Sequence, residues 1–430
     1  MKKFTLWCAL ACAANAATAQ NRTPSTLAAD TLRLSRRQAI ATALLANPQL
    51  DIAREQTAQV RAQRVENNGI INPALSYSYD GQTGFLQLGT AAAHNLNVGL
   101  GIPFPDKFRL RNTIGVANIR TSEAQFRLAQ LFIAAQAGRT YDSVLVTRLH
   151  RRDLTESRTL AIDFLKKTQA RFDAGTVARL DVIRAQVDVA QSDNDLIANT
   201  RDVANASAAL NRVIGRPLYA PIELLDSLVA PTGMPELEGL EARALLVRPE
   251  ITAIEAQQRA ARANSQLTKE QAFLPDITLG ATRDYASDVG VLYTAGLAMP
   301  LPIFFWQHTK GDFAETKHRE LELAATLRDV RAAVGQDVRA AFAAADAAVR
   351  QATFIRDQLL PSAREAYRVA TVSYGLGGLS ALDVLDARRV LLDAERQYAN
   401  ALAAANSTLS DLERAAGAPL TTTDSGAHRE

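Results

Sequence analysis

Arg171-Phe172-Asp173-Ala174-Gly175 running on to Leu180-Asp181-Val182, and Ser373-Tyr374-Gly375-Leu376-Gly377 running on to Leu382-Asp383-Val384, are two copies of one segment at a constant offset of 202 residues. The offset persists outward, pairing Ala185 with Ala387, Leu210 with Leu412, Arg212 with Arg414 and Gly215 with Gly417. Upstream, Asn47-Pro48 matches Arg248-Pro249 and Pro73 matches Pro275. The Gly99-Leu100 pair followed by Pro103 and Pro105 matches Gly296-Leu297 followed by Pro300 and Pro302. So many ordered matches imply a tandem duplication, with a unit too long for a solenoid repeat. The division is 36–216 for the first unit and 237–417 for the second. A linker, 217–236, joins them, a segment 20–35 precedes them, and a disordered tail, 418–430, follows.

Each unit reads helix, strand, strand, long helix, helix. Residues 36–69 and 238–272 are rich in Ala, Gln, Arg and Glu, good helix composition. The long helices are 107–172 and 308–372, the second spanning on the order of 95 Å at 1.5 Å per residue. Helices of that length point to coiled-coil or tubular packing, and abundant Ala favours close axial approach. Between the helices the period changes to two. Leu75, Tyr77 and Tyr79 alternate with Ser76, Ser78 and Asp80, and Leu96, Val98, Leu100 and Ile102 with Asn95, Asn97, Gly99 and Gly101. Ile277, Leu279 and Ala281, then Val289, Val291, Tyr293, Ala295, Leu297 and Met299, repeat the pattern in the second unit. These are two hairpins with one apolar face, and the strands are long enough to cross a bilayer. Four strands cannot close a barrel, and lipid forbids open edges, so spanning strands must share one barrel with other copies of the chain.

Composition narrows the function. The 430 residues carry 48 Lys+Arg against 45 Asp+Glu, and 47% are hydrophobic, which excludes a disordered chain. A net charge of +3, spread evenly, offers no basic patch for nucleic acid. A mean hydropathy of −0.08 excludes a bundle of spanning helices but not a barrel. Lys2 and Lys3, the apolar stretch Phe4 to Ala14 and Ala17-Thr18-Ala19 read as a signal peptide, 1–19, cleaved before Gln20. Both cysteines, Cys8 and Cys12, leave with it; the rival reading makes Cys12 a lipidated N-terminus. No phosphate loop, zinc-protease motif or nucleophile elbow occurs, which argues against an enzyme. His94, His150, His308, His318 and His428 are scattered without ligand spacing, so neither a metal site nor a cofactor is expected.

The paired R/S-F/Y-x-x-G…L-D-V segments, each followed by an Ala-rich helix ending at Gly215 or Gly417, resemble the TolC family of outer-membrane efflux proteins. The Pro103/Pro105 and Pro300/Pro302 pairs that close the hairpins do too. The resemblance implies an α+β membrane protein built as a homotrimer. Its twelve-stranded β-barrel, four strands per chain, would continue into a long periplasmic α-helical barrel. It also implies a periplasmic adaptor and an inner-membrane RND pump as partners. Met299 to Phe304 leading to Gly311, with Ile102 to Lys107 in the first unit, is similar to the subgroup serving cobalt–zinc–cadmium pumps. Phe305 to Lys310 departs from that subgroup's Asp-Arg-Asn run, so drug efflux and type I secretion stay open as cargo readings. A soluble periplasmic coiled-coil adaptor is the alternative from another class.

The resemblance places Asp383 and Asp386 at the periplasmic tip as a ring of carboxylates. Ser380 three residues before Asp383 equally reads as a capping box. Asp181 and Arg184 either hold neighbouring tips shut or form a local pair on one helix. Gly175, Gly377 and Gly378 fall at the helix reversals, where glycine supplies turn geometry, and the family's tips also meet the adaptor. Phe104, Phe108, Phe304, Phe305 and Trp306 suit either an interfacial aromatic girdle or packing at the barrel–helix junction.

Overall fold

A computed structural model describes residues 31–80, 93–229, 233–286, 290–301 and 303–417. The signal segment with Cys8 and Cys12, Pro302 and the tail 418–430 lie outside the described residues. The first half runs β1 (Leu32–Leu34), α1 (Arg36–Ala46), α2 (Pro48–Asn67), β2 (Ala74–Asp80), β3 (Ala93–Ile102), α3 (Pro105–Asp173) and α4 (Arg179–Val213). The second runs β4 (Ile222–Leu224), α5 (Leu237–Val247), α6 (Pro249–Phe273), β5 (Ile277–Ala286), β6 (Gly290–Ala298), α7 (Phe305–Phe354), a π turn (Ile355–Leu359), α8 (Leu360–Gly375) and α9 (Ala381–Ala416). The order of elements is thus the same in each half.

Two expected helices are broken. The stretches read as 36–69 and 238–272 each divide in two, at Asn47 and at Arg248. Both residues precede proline, whose ring disfavours the helical region for its predecessor, and both are extended (ψ 122° and 126°). Each corner then caps the last helix of its own half. Asn47 Nδ2 donates to Val213 O at 2.8 Å, while Arg248 Nη1 donates to Arg414 O at 3.2 Å and Ala415 O at 3.0 Å. Gly215 (φ 72°) ends α4 against α1, where a Cβ would lie 2.3 Å from Ala46 O, so only glycine fits.

The segment read as a linker holds β4, which pairs in parallel with β1 (Leu32↔Ile222, Leu34↔Leu224). Over this pair lies the largest core, built from Leu34, Leu50, Ile133, Tyr141, Val144, Leu210 and Ile214. Tyr141 is fully buried, and its hydroxyl donates to Leu34 O at 2.9 Å and lies 3.1 Å from Asp226 Oδ2.

At 69 residues, α3 is about 100 Å long. Its counterpart is interrupted by the π turn, where Leu360 N donates to Ile355 O one residue beyond helical spacing. Pro361 follows directly and has no N–H for the ladder, which accounts for the interruption. None of the described helices is long and apolar enough to cross a membrane.

The hairpins join into one antiparallel sheet of order β2-β3-β5-β6. Its register sets Leu75, Val98, Ala281 and Ala295 on one face together with Tyr77, Leu96, Leu279 and Leu297. That face is bare: Leu75 is 70% exposed and Leu297 68%. The other face carries Asn95, Asn97, Thr282 and Thr294, with Asn97 Nδ2 donating to Thr282 Oγ1 at 3.1 Å. Among the described residues β2 and β6 each pair on one side only.

Candidate functional site

Far from the sheet, α3 reverses into α4 and α8 into α9 by the same turn. Gly175 N donates to Phe172 O at 2.8 Å and Thr176 N to Arg171 O at 2.9 Å. In the other half Gly377 N donates to Tyr374 O at 3.0 Å and Gly378 N to Ser373 O at 2.9 Å. Gly175 (φ 71°) and Gly377 (φ 82°) are left-handed, as the turn requires. Gly378 is not, so its turn role is that of a donor which any residue but proline could fill.

The two tips are bound to each other. Arg171 stacks over the Tyr374 ring at 4.5 Å and donates to its carbonyl. Tyr374 packs on Phe164 with ring centroids 5.3 Å apart, and its hydroxyl lies 3.3 Å from Thr168 Oγ1. Val384, Ala381, Ala370 and Ala185 complete the cluster.

Asp383 closes a capping box with Ser380 at the start of α9, its carboxylate accepting from Ser380 N at 2.9 Å. Hydrogen bonds from the Ser380 hydroxyl and N–H hold that exposed carboxyl below its usual range. The Asp386 side chain is exposed and makes no hydrogen bond or ion pair among the described residues. Arg184 pairs with Asp181 at 3.5 Å along α4 itself, the local arrangement. Asp386 and Arg184 line one groove of 930 Å³ between α3, α4 and α9, together with Asp188, Asp195, Asp393 and Arg389.

Sequence reading missed the group that fixes this groove. Arg388, only 2% exposed, pairs with Asp188 of α4. Its Nη2 also donates to Ser157 O at 2.9 Å, Ser157 Oγ at 2.6 Å and Ser192 Oγ at 2.9 Å. One side chain thereby joins three helices from both halves. The residue 202 positions earlier is Gln186, so self-comparison gave no signal for it.

At the sheet end, Pro103 is buried between β3 and α3, and Pro105 opens α3 at its first position. Lys107, also 2% exposed, reaches across to Asp276 before β5 at 2.6 Å. In the other half Pro300 follows β6, but α7 opens without a proline, behind Phe304. Phe104 and Phe304 are exposed; the Phe305 and Trp306 side chains lie outside the described residues.

The sheet with its bare apolar face is carried on helices of up to 69 residues, and the chain resembles known proteins in sequence and in fold. The outer membrane efflux protein profile matches residues 39–216 and again 240–418. The chain belongs to this family. The outer membrane efflux protein is a channel and not an enzyme. It is 26% identical over 317 residues to the cobalt-zinc-cadmium resistance protein CzcC of Cupriavidus metallidurans, covering 70% of this chain and 73% of that one. It is also 26% identical over 300 residues to the outer membrane protein TolC of Vibrio cholerae, covering 66% and 67%. The solved structure of CusC shares the fold, with a TM-score of 0.74 at 19% identity over 89% of this chain and 92% of that one.

Proposed function

We propose that this efflux protein is one third of a homotrimeric duct. Three four-stranded sheets close a twelve-stranded barrel, and the helices continue it as a periplasmic tunnel. The observation that carries this is the sheet with its bare apolar face and two open edges, β2 and β6. In lipid those edges need partners, and copies of the chain supply them without a new surface. In this reading the prolines lie at the barrel–helix junction and the glycine turns at the far end. There Gly175, Gly377 and Gly378 would meet a periplasmic adaptor fed by an inner-membrane RND pump. Detergent-extracted protein is expected to run as a trimer; a folded monomer that keeps its strand signal by circular dichroism would end the shared-barrel reading.

The likeness to CzcC, with the Pro300–Gly311 segment, supports heavy-metal cations as cargo. Deletion is then expected to sensitise cells to divalent transition metals more than to dyes or detergents. The reverse pattern moves the protein to drug export.

Three-fold symmetry would turn Asp383 and Asp386 into carboxylate rings at the entrance, and such rings favour cations. The Ser380 bonds keep Asp383 charged, which suits that role. Asp181 and Arg184 would hold neighbouring tips by exchanging their local pairing. Asp383→Asn/Asp386→Asn is expected to lower cation preference and weaken multivalent-cation block in planar bilayers at low salt, where screening is least. Unchanged selectivity would leave both as a cap and a surface charge.

A further inference from the structure

On the apolar face of the sheet, the register places one formal charge among the described residues: Arg283 of β5. Its cross-strand neighbours are Leu96 and Tyr293, and its strand neighbours on that face are Ala281 and Tyr285. None is acidic, and Asp284 faces the other way by strand alternation. The Arg283 side chain is exposed and makes no hydrogen bond or ion pair among the described residues.

Its depth is informative. Arg283 lies three residues short of Ala286, about 10 Å along the strand from the end remote from the helices. Aromatic rings mark that level. His94 lies between Tyr77 and Tyr285, with centroids 6.1 and 6.0 Å away, and Tyr77 Oη is 2.6 Å from His94 Nδ1. Tyr293, directly opposite Arg283, is 75% exposed. Such a girdle marks the membrane interface, where an arginine on the lipid face is tolerated, unlike at the midplane. The guanidinium fork matches a phosphate with two parallel bonds.

We propose that Arg283 binds the phosphate of an anionic lipid headgroup in the outer leaflet, between Tyr285 and Tyr293. This rests on the barrel reading, since only then does the apolar face meet lipid. A trimer would present three such sites around its rim.

The test uses wild type, Arg283→Gln and Arg283→Lys in phosphatidylcholine nanodiscs doped with bisphosphorylated lipid A or its dephosphorylated form, counting retained glycolipid by native mass spectrometry. Wild type is expected to favour the phosphorylated form about fivefold, the factor for one basic residue at an anionic surface. Arg283→Gln should lose that preference and Arg283→Lys should keep most of it. Equal retention by wild type and Arg283→Gln, with both inserted, overturns the site while the barrel stands. Full displacement by millimolar inorganic phosphate overturns the lipid as its occupant. Failure of wild type to enter the discs removes the barrel reading, and the site with it.

Discussion

Arg388→Ala is expected to lower stability by about 3–5 kcal/mol, the range for removing one partner of a buried ion pair. The loss goes beyond the pair, because Ser157 and Ser192 also lose the donor that joins α3, α4 and α9. Burial already lifts Asp188 above the usual carboxylate range, outweighing the pull of Arg388. Without the guanidinium it rises further and is left as a half-buried unpaired charge. A carboxyl whose folded pKa is raised binds its proton more readily in the fold than in the unfolded chain. Its contribution to stability therefore improves as pH falls through that range. The penalty of Arg388→Ala should be greatest at neutral pH and shrink toward acid. Denaturant midpoints followed by helical circular dichroism measure this, and a penalty independent of pH would rule out Asp188 as its source. Arg388→Met/Asp188→Leu should recover most of the loss, since apolar replacements of a buried pair are often neutral. In the proposed duct the single variant should also conduct more freely, with α9 no longer tied to α3 and α4 near the tips.

Tyr141→Ala should cost a similar ~3–5 kcal/mol, as large aromatic truncations in cores do. The ring fills the centre of the core that roofs the β1–β4 pair, and the hydroxyl satisfies Leu34 O. Tyr141→Phe isolates the hydroxyl and should cost about 1–2 kcal/mol. Burial pushes the Tyr141 hydroxyl from 10.0 up to about 12. From pH 10 to about 12 the folded state keeps a proton that the unfolded chain has released. Stability should therefore fall as pH rises through that window. Tyr141→Phe lacks the proton, so its midpoint should decline less over the same range; parallel curves would exclude this hydroxyl as the alkaline sensor.

Much of this protein was legible in one sequence. Self-comparison located both tips, because Gly175 and Gly377 occupy the one position in each turn where the backbone is left-handed, and an L side chain there is strained. Period-two alternation gave both faces of the sheet, since a strand turns successive side chains to opposite sides whatever surrounds it. The helix breaks at Asn47 and Arg248 follow from the next residues, Pro48 and Pro249, and helix-forming composition on either side does not override them.

What depended on distant residues was invisible. Asp383 and Asp181 were found as motif positions, but only the folded chain shows Asp383 bonded to its own cap and Asp181 to Arg184 on the same helix. Arg388 and Lys107 look like ordinary surface cations in a chain with 48 basic residues. They are buried because partners far away in sequence, Asp188 and Asp276, arrive beside them. Local rules of backbone strain and side-chain alternation are carried by each residue and its neighbours, so the sequence alone determined the long helices, the hairpin strands and the glycine turns, while the parallel β1–β4 pair joins segments far apart in sequence. Burying a charge depends on which carboxylates and hydroxyls packing delivers within about 3 Å, and only the tertiary structure decided that.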